Sequence, residues 1–244
     1  MNPNAFDYAA LAVLVAWSIF DWRWYWPRYV RAIRANVPGA RMRMYRNLAV
    51  AEWIVTLYVL GLWVAKARPW SALWLTPPGY VRSGFGLALV IAVIGLLMTQ
   101  TKQILAQPKA MAKVREKMGP MEQLVPRTES ERHTFWFVSI TAGICEEILF
   151  RGFVLWLFTA WTGLIAAVIL SSILFGFGHI YQGPSRVPIT SLVGFVLAII
   201  VVATGSLWPA IVIHAALDWN SGELGFRVLR EPESPSEPLP SPMS

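Results

Sequence analysis

The sequence predicts an all-α fold, a polytopic membrane helix bundle of about seven transmembrane helices. Three observations predict it. Apolar residues make up 56% of the chain and charged residues only 14%, where a soluble domain carries about a quarter charged. The apolar residues gather in runs of roughly 15–24, around the 20 or so that a helix needs to cross the hydrocarbon of a bilayer. Lysine and arginine gather between those runs, in alternate loops.

With 244 residues the chain has room for about seven such helices and short loops, and none for a soluble domain beside them. Residues 1–226 therefore read as a single transmembrane domain. Spans are expected near 5–22, 48–65, 83–99, 133–156, 161–180, 187–204 and 207–221. The opening stretch, MNPNAFDYAALAVLVAWSIFDW, has no basic n-region and no clear small-residue cleavage site, so it reads as a retained first span. Trp22, Trp24, Tyr25 and Trp26 follow it as an interfacial aromatic anchor. Spans two and three are plain apolar helices separated by RPWSALWLTPPGYVR. The polar stretch 100–132 suits an amphipathic surface helix, with PRTES leading into span four. The end, REPESPSEPLPSPMS, is too poor in apolar residues to bury itself, so residues 227–244 read as a disordered cytoplasmic tail.

The formal net charge is +7, and its placement points to lipid rather than nucleic acid. Seven basic residues fall between Arg23 and Arg46, three more (Lys66, Arg68, Arg82) after span two, and seven between Lys102 and Arg132. That alternation puts the N-terminus outside and the C-terminus in the cytoplasm, with the basic loops against anionic lipid. A single cysteine excludes an internal disulfide and a cysteine-rich metal site.

Away from the loops few ionisable residues remain. Asp21 and Glu52 sit near span ends; Glu146, Glu147, Arg151, His179, His214 and Asp218 all lie in the C-terminal half. Ionisable groups inside membrane spans face a bundle interior or a wet cavity and mark function. Glu147 and Arg151 are four residues apart, so they share a helix face and can pair. Glu146 is rotated about 100° from Glu147, which leaves it facing a different neighbour and suits it to general-base work. Phe175 lies one turn before His179 on the same face, where core packing is its simplest role. His214 and Asp218 are again four apart, so Asp218 can bond beside the imidazole.

Glu146-Glu147-x-x-x-Arg151, Phe175-x-x-x-His179 and His214-x-x-x-Asp218 together resemble the three motifs of the CAAX protease and bacteriocin-processing family of intramembrane proteases. The resemblance covers about residues 125–222; the first three spans carry no matching signature. It implies an intramembrane endopeptidase. Glu146 would activate the attacking water with His179 beside it, and His214 and Asp218 would stabilise the oxyanion. Glu147 would be tied to Arg151 and shape the site, with Phe175 packed against it. The implied partners are the lipid bilayer and a membrane protein or lipidated peptide, prenylated or CAAX-like, as substrate, with no nucleic acid. The expected location is the inner (plasma) membrane of a bacterium.

Other readings of the same residues stay open. Proton-coupled transporters also carry Glu and His in helices, and a partner-binding scaffold could keep such a fold without catalysis; the sequence shows no inverted repeat of the transporter kind. Cys145 could act as a nucleophile with His179 or His214, but Glu146 beside it disfavours the thiolate, and a lone cysteine in a span more often serves as a small hydrophobe. Glu146, His179 and His214 could also hold a catalytic zinc. The chain lacks HExxH, and a ligating carboxylate is a poor base for the same water, so a metal-free site is favoured.

Overall fold

Asn4 opens the first helix, α1 (Ala5–Phe20), by accepting from the Phe6 N–H at 2.9 Å, while Asp7 reaches back to the Asn4 N–H at 2.8 Å. This reciprocal arrangement satisfies donors that a helix start leaves free. Asp7 also receives both terminal nitrogens of Arg68 at 2.7 Å. The Arg68 guanidinium lies 4.9 Å from the Trp63 ring and 4.7 Å from the Trp156 ring. A buried bidentate pair walled by two indoles thus clamps the start of α1 to the end of α3 (Ala40–Ala65) and to α7 (Leu155–Thr162).

The computed structural model describes residues 2–230. α1 runs through a π turn, Asp21–Tyr25, into α2 (Trp26–Arg34), where Pro27 has no N–H to offer the turn before it. After α3 come α4 (Tyr80–Leu105) and the short α5 (Pro108–Met118). α6 (Glu129–Glu146) is capped by Thr128, whose hydroxyl accepts from the Glu131 N–H at 3.2 Å. It passes through a second π segment, Glu147–Val154, into α7. At Gly163 the chain turns with φ +78°, a conformation open to glycine, and α8 (Leu164–Gly178), α9 (Val187–Thr204) and α10 (Trp208–Leu229) complete the bundle.

Every described regular element is helical, as the sequence predicts. Among the described residues four helical stretches are long and apolar enough to cross a membrane by length and composition: Ala5–Arg34, Ala40–Ala65, Tyr80–Leu105 and Pro184–Thr204. The other three expected spans are helices too, but α8 has only 15 residues, and the α6–α7 path and α10 are too polar by the same measure. The first expected span, 5–22, is the front part of a 30-residue helix, because the π turn lets the chain continue past the aromatic anchor. Within 100–132, where a surface helix is expected, α4 runs on to Leu105 and α5 follows, several of its residues lining the cavity. α10 reaches Leu229, and the rest of the expected tail, residues 231–244, lies outside the described residues.

Packing around α6 positions the site. This helix lies against α3 on one side and α10 on the other, while α8 pairs with α9 and α7. Gly143 allows the close approach of α6 to α10. A Cβ there would stand 2.8 Å from Ala215 Cβ and 2.9 Å from the Ile211 carbonyl oxygen. Gly143 sits one turn before Glu147, and Ala215 adjoins His214, so this contact brings the glutamates to the histidine. Gly194 of α9 similarly leaves room for Phe175 and Arg151, whose atoms would lie 3.0 and 3.2 Å from an added Cβ.

Candidate active site

Glu147 and Arg151 are fully buried, at 0% and 1% exposure. Glu147 Oε1 accepts from Arg151 Nη1 at 2.7 Å, the pair that the i,i+4 spacing predicts. The same oxygen lies 2.7 Å from His214 Nδ1. A carboxylate oxygen offers no proton, so Nδ1 carries the hydrogen and donates it. His214 Nε2 is thereby turned toward Glu146 Oε2, 3.8 Å away, and Asp218 Oδ2, 3.6 Å away. The two adjacent glutamates thus address opposite nitrogens of one imidazole. The helix is widening into its π segment here.

His179 sits just past the C-terminal end of α8. Its Nδ1 lies 2.9 Å from the Phe175 carbonyl oxygen, which likewise fixes the proton on Nδ1 and leaves Nε2 free. That Nε2 is 3.6 Å from Glu146 Oε2. Glu146 Oε2 is buried and has no hydrogen-bond partner. Separations of 3.6 and 3.8 Å are too long for direct hydrogen bonds and suit one bridging water.

Phe175 touches most of the constellation. Its ring lies 4.6 Å from His179, 5.8 Å from His214 and 5.1 Å from Phe150 between centroids, and the Arg151 guanidinium stands 4.0 Å over it. Arg151 Nη2 has no hydrogen-bond partner, so the ring face supplies its cation–π contact. Phe175 packs, as the sequence suggests, and the rings it packs are those of the two histidines.

Glu146, His179, His214 and Asp218 line a cavity of about 840 Å³ whose walls are mostly apolar. Glu147 and Arg151 lie behind it and Cys145 is fully buried away from it. The cavity also recruits residues that motif spacing did not single out. Glu52, on α3, lines it with Oε2 buried and unpartnered, and Asp21 lines it from the π turn of the first helix. The one sequence signal for both was an acid within an apolar stretch. Tyr181, also in the wall, has its ring centroid 6.0 Å from that of His179. Among the described residues no group of three or more His, Cys, Asp or Glu has the spacing of a metal site.

The arrangement supplies a base, a second nitrogen acceptor beside it, and a histidine whose Nε2 becomes a donor when both ring nitrogens are protonated. Those are the parts that hydrolysis of an acyl bond by activated water requires. No curated protein and no solved structure matches the chain. A family model described as Rce1-like, type II CAAX prenyl endopeptidase Rce1-like, matches residues 129–220. That stretch contains Glu146, Glu147, Arg151, Phe175, His179, His214 and Asp218. Over residues 129–220 the chain is thus similar to the type II CAAX prenyl endopeptidases that this model describes, the family its three motifs resemble.

Proposed function

We propose that the protein is an intramembrane endopeptidase that cuts a peptide bond of a membrane-associated or prenylated, CAAX-like protein substrate with a water activated by Glu146. The observation that carries this reading is the buried, unpartnered Glu146 Oε2 facing the free Nε2 atoms of His179 and His214 across 3.6 and 3.8 Å.

In this mechanism a water is held between Glu146 and His179 Nε2. Glu146 takes its proton as the oxygen attacks the substrate carbonyl carbon. The carbonyl oxygen becomes an oxyanion and receives hydrogen bonds from His214 Nε2–H and from Asp218 in its protonated form. Glu146 then returns the proton to the amide nitrogen, the C–N bond breaks, and an acid and an amine leave. Glu147 holds His214 by Nδ1, so the ring presents Nε2 to the cavity. The apolar wall limits bulk water, which strengthens each of these interactions.

Asp218 faces the same nitrogen of His214 as Glu146, and its side chain is 41% exposed. The position at Nδ1, where a residue orienting a metal ligand would bond, is taken by Glu147. That contact would serve a zinc-binding histidine equally well, so the metal-free scheme rests on giving Glu146 the single task of base; with zinc, Glu146, His179 and His214 would be the holders. The same reading includes all seven expected spans in the membrane, with the N-terminus outside and the C-terminus in the cytoplasm.

Purified protein in detergent or liposomes, incubated with a randomised peptide pool and with extracted membrane proteins, tests the proposal. Cut sites read by mass spectrometry should appear with the native chain and fall by about 10³-fold or more with Glu146→Ala, the scale of a lost general base. They should persist with Cys145→Ser. Cleavage that survives Glu146→Ala but not Cys145→Ser would make Cys145 the nucleophile instead.

A further inference from the structure

Glu52 enters the cavity from α3, far from the family-matched segment in sequence. Its Oε2 is shielded from solvent and has no hydrogen-bond partner. The charged groups that act on it are Glu146 and Asp218, both acids. A buried carboxyl oxygen left without a donor is destabilising, so a chain that keeps one on a cavity wall has either a structural partner for it or a ligand. No structural partner is present among the described residues. The basic residues that line the same cavity are Lys113 and Lys117 of α5 and Arg186, which donates to the Lys117 carbonyl oxygen, and none of them bonds to Glu52 Oε2. The donor must come from what enters the cavity.

The charge balance of the site says what kind of donor. Glu52, Glu146, Glu147 and Asp218 act on one another around a single buried arginine, Arg151, and that arginine is already engaged by Glu147. With neutral histidines these four acids outnumber the one arginine among them, and the bases that also line the cavity, Lys113, Lys117 and Arg186, come from α5 and the turn before α9, inside a chain whose overall charge is +7. A backbone N–H would satisfy the geometry of Glu52 but not the excess charge. A cation satisfies both.

We propose that Glu52 forms a specificity subsite for a basic side chain: a lysine or arginine of the substrate, near the scissile bond, pairs with the Glu52 carboxylate inside the cavity. This rests on the peptidase reading of the site. Lysine or arginine delivers its charge on a long apolar stem, which suits the Leu and Val residues, such as Leu48 and Val55, that flank Glu52 on the cavity wall.

The test uses the full chain in liposomes with a randomised peptide pool, read in two ways: cut sites of the native protein, and peptides retained by the Glu146→Ala protein. Lys and Arg should be enriched about tenfold at one position close to the cut, as expected for a desolvated charge pair. Glu52→Gln should erase that enrichment and lower kcat/KM for Lys-bearing peptides about tenfold; Glu52→Asp, which keeps the charge, should restore part of it. Size-exclusion profiles and the Asp variant guard against simple misfolding. Cleavage with no basic preference, or with one that survives Glu52→Gln, overturns the subsite and leaves the peptidase. If no cut depends on Glu146 but basic peptides are still retained through Glu52, the peptidase reading falls and the subsite stands. Absence of both cleavage and retention overturns both.

Discussion

Glu147 Oε1 stands 2.7 Å from His214 Nδ1 and 2.7 Å from Arg151 Nη1 at once. One carboxylate oxygen therefore ties a helix-internal arginine to a histidine 67 positions beyond Glu147. It balances the buried guanidinium and sets which nitrogen of His214 faces the cavity. Glu147→Gln keeps the shape but removes the charge, and Arg151→Ala leaves Glu147 stranded. Breaking a buried pair from one side costs roughly 3–5 kcal/mol in soluble proteins. Both variants should lower folded yield and thermal midpoint as well as cleavage, whereas Glu146→Ala should lose cleavage at normal yield. Fluorescence size-exclusion and thermal unfolding in detergent check this. A well-folded, merely slow Arg151→Ala would contradict it.

Gly143 should be as sensitive as a site residue although it touches no substrate. Gly143→Leu drives its side chain into Ala215 and the Ile211 carbonyl, and must push α6 away from α10. Since catalytic groups tolerate misplacement of about 1 Å only at a loss near 100-fold, cleavage should fall by that order. Gly95→Leu, on α4 where an added Cβ meets nothing within 4 Å, should leave it unchanged. Equal rates for the two variants would show that the α6–α10 approach does not position the site.

Metal dependence separates the two schemes for Glu146. In the metal-free scheme, protein dialysed against 1,10-phenanthroline keeps its cleavage and carries less than stoichiometric zinc. Chelator-sensitive cleavage that zinc restores would recast Glu146, His179 and His214 as ligands.

Orientation can be read without any substrate. Seven basic residues between Arg23 and Arg46 and seven between Lys102 and Arg132 should hold those two loops on the cytoplasmic side. A reporter fused after Arg230 should register as cytoplasmic. An external signal would mean that the α6–α7 path, α8 or α10 does not cross as expected.

What the sequence determined by itself is local. Long apolar runs specify helices because, without water, a backbone can satisfy its polar groups only within itself. The spacing of Glu147 and Arg151, of Phe175 and His179, and of His214 and Asp218 places each pair on one helix face, and all three pairs are neighbours in the structure. Other relationships came only with tertiary structure. That both glutamates meet the same imidazole depends on the Gly143–Ala215 approach of two helices some 70 residues apart. That Glu52 belongs to the cavity depends on α3 packing beside α6. Helical periodicity fixes which way a side chain points from its own axis, and says nothing about which other helix stands in front of it. That choice belongs to the fit of small and large side chains between helices, and here it joined an acid from the N-terminal half to a site whose motifs all lie in the C-terminal half.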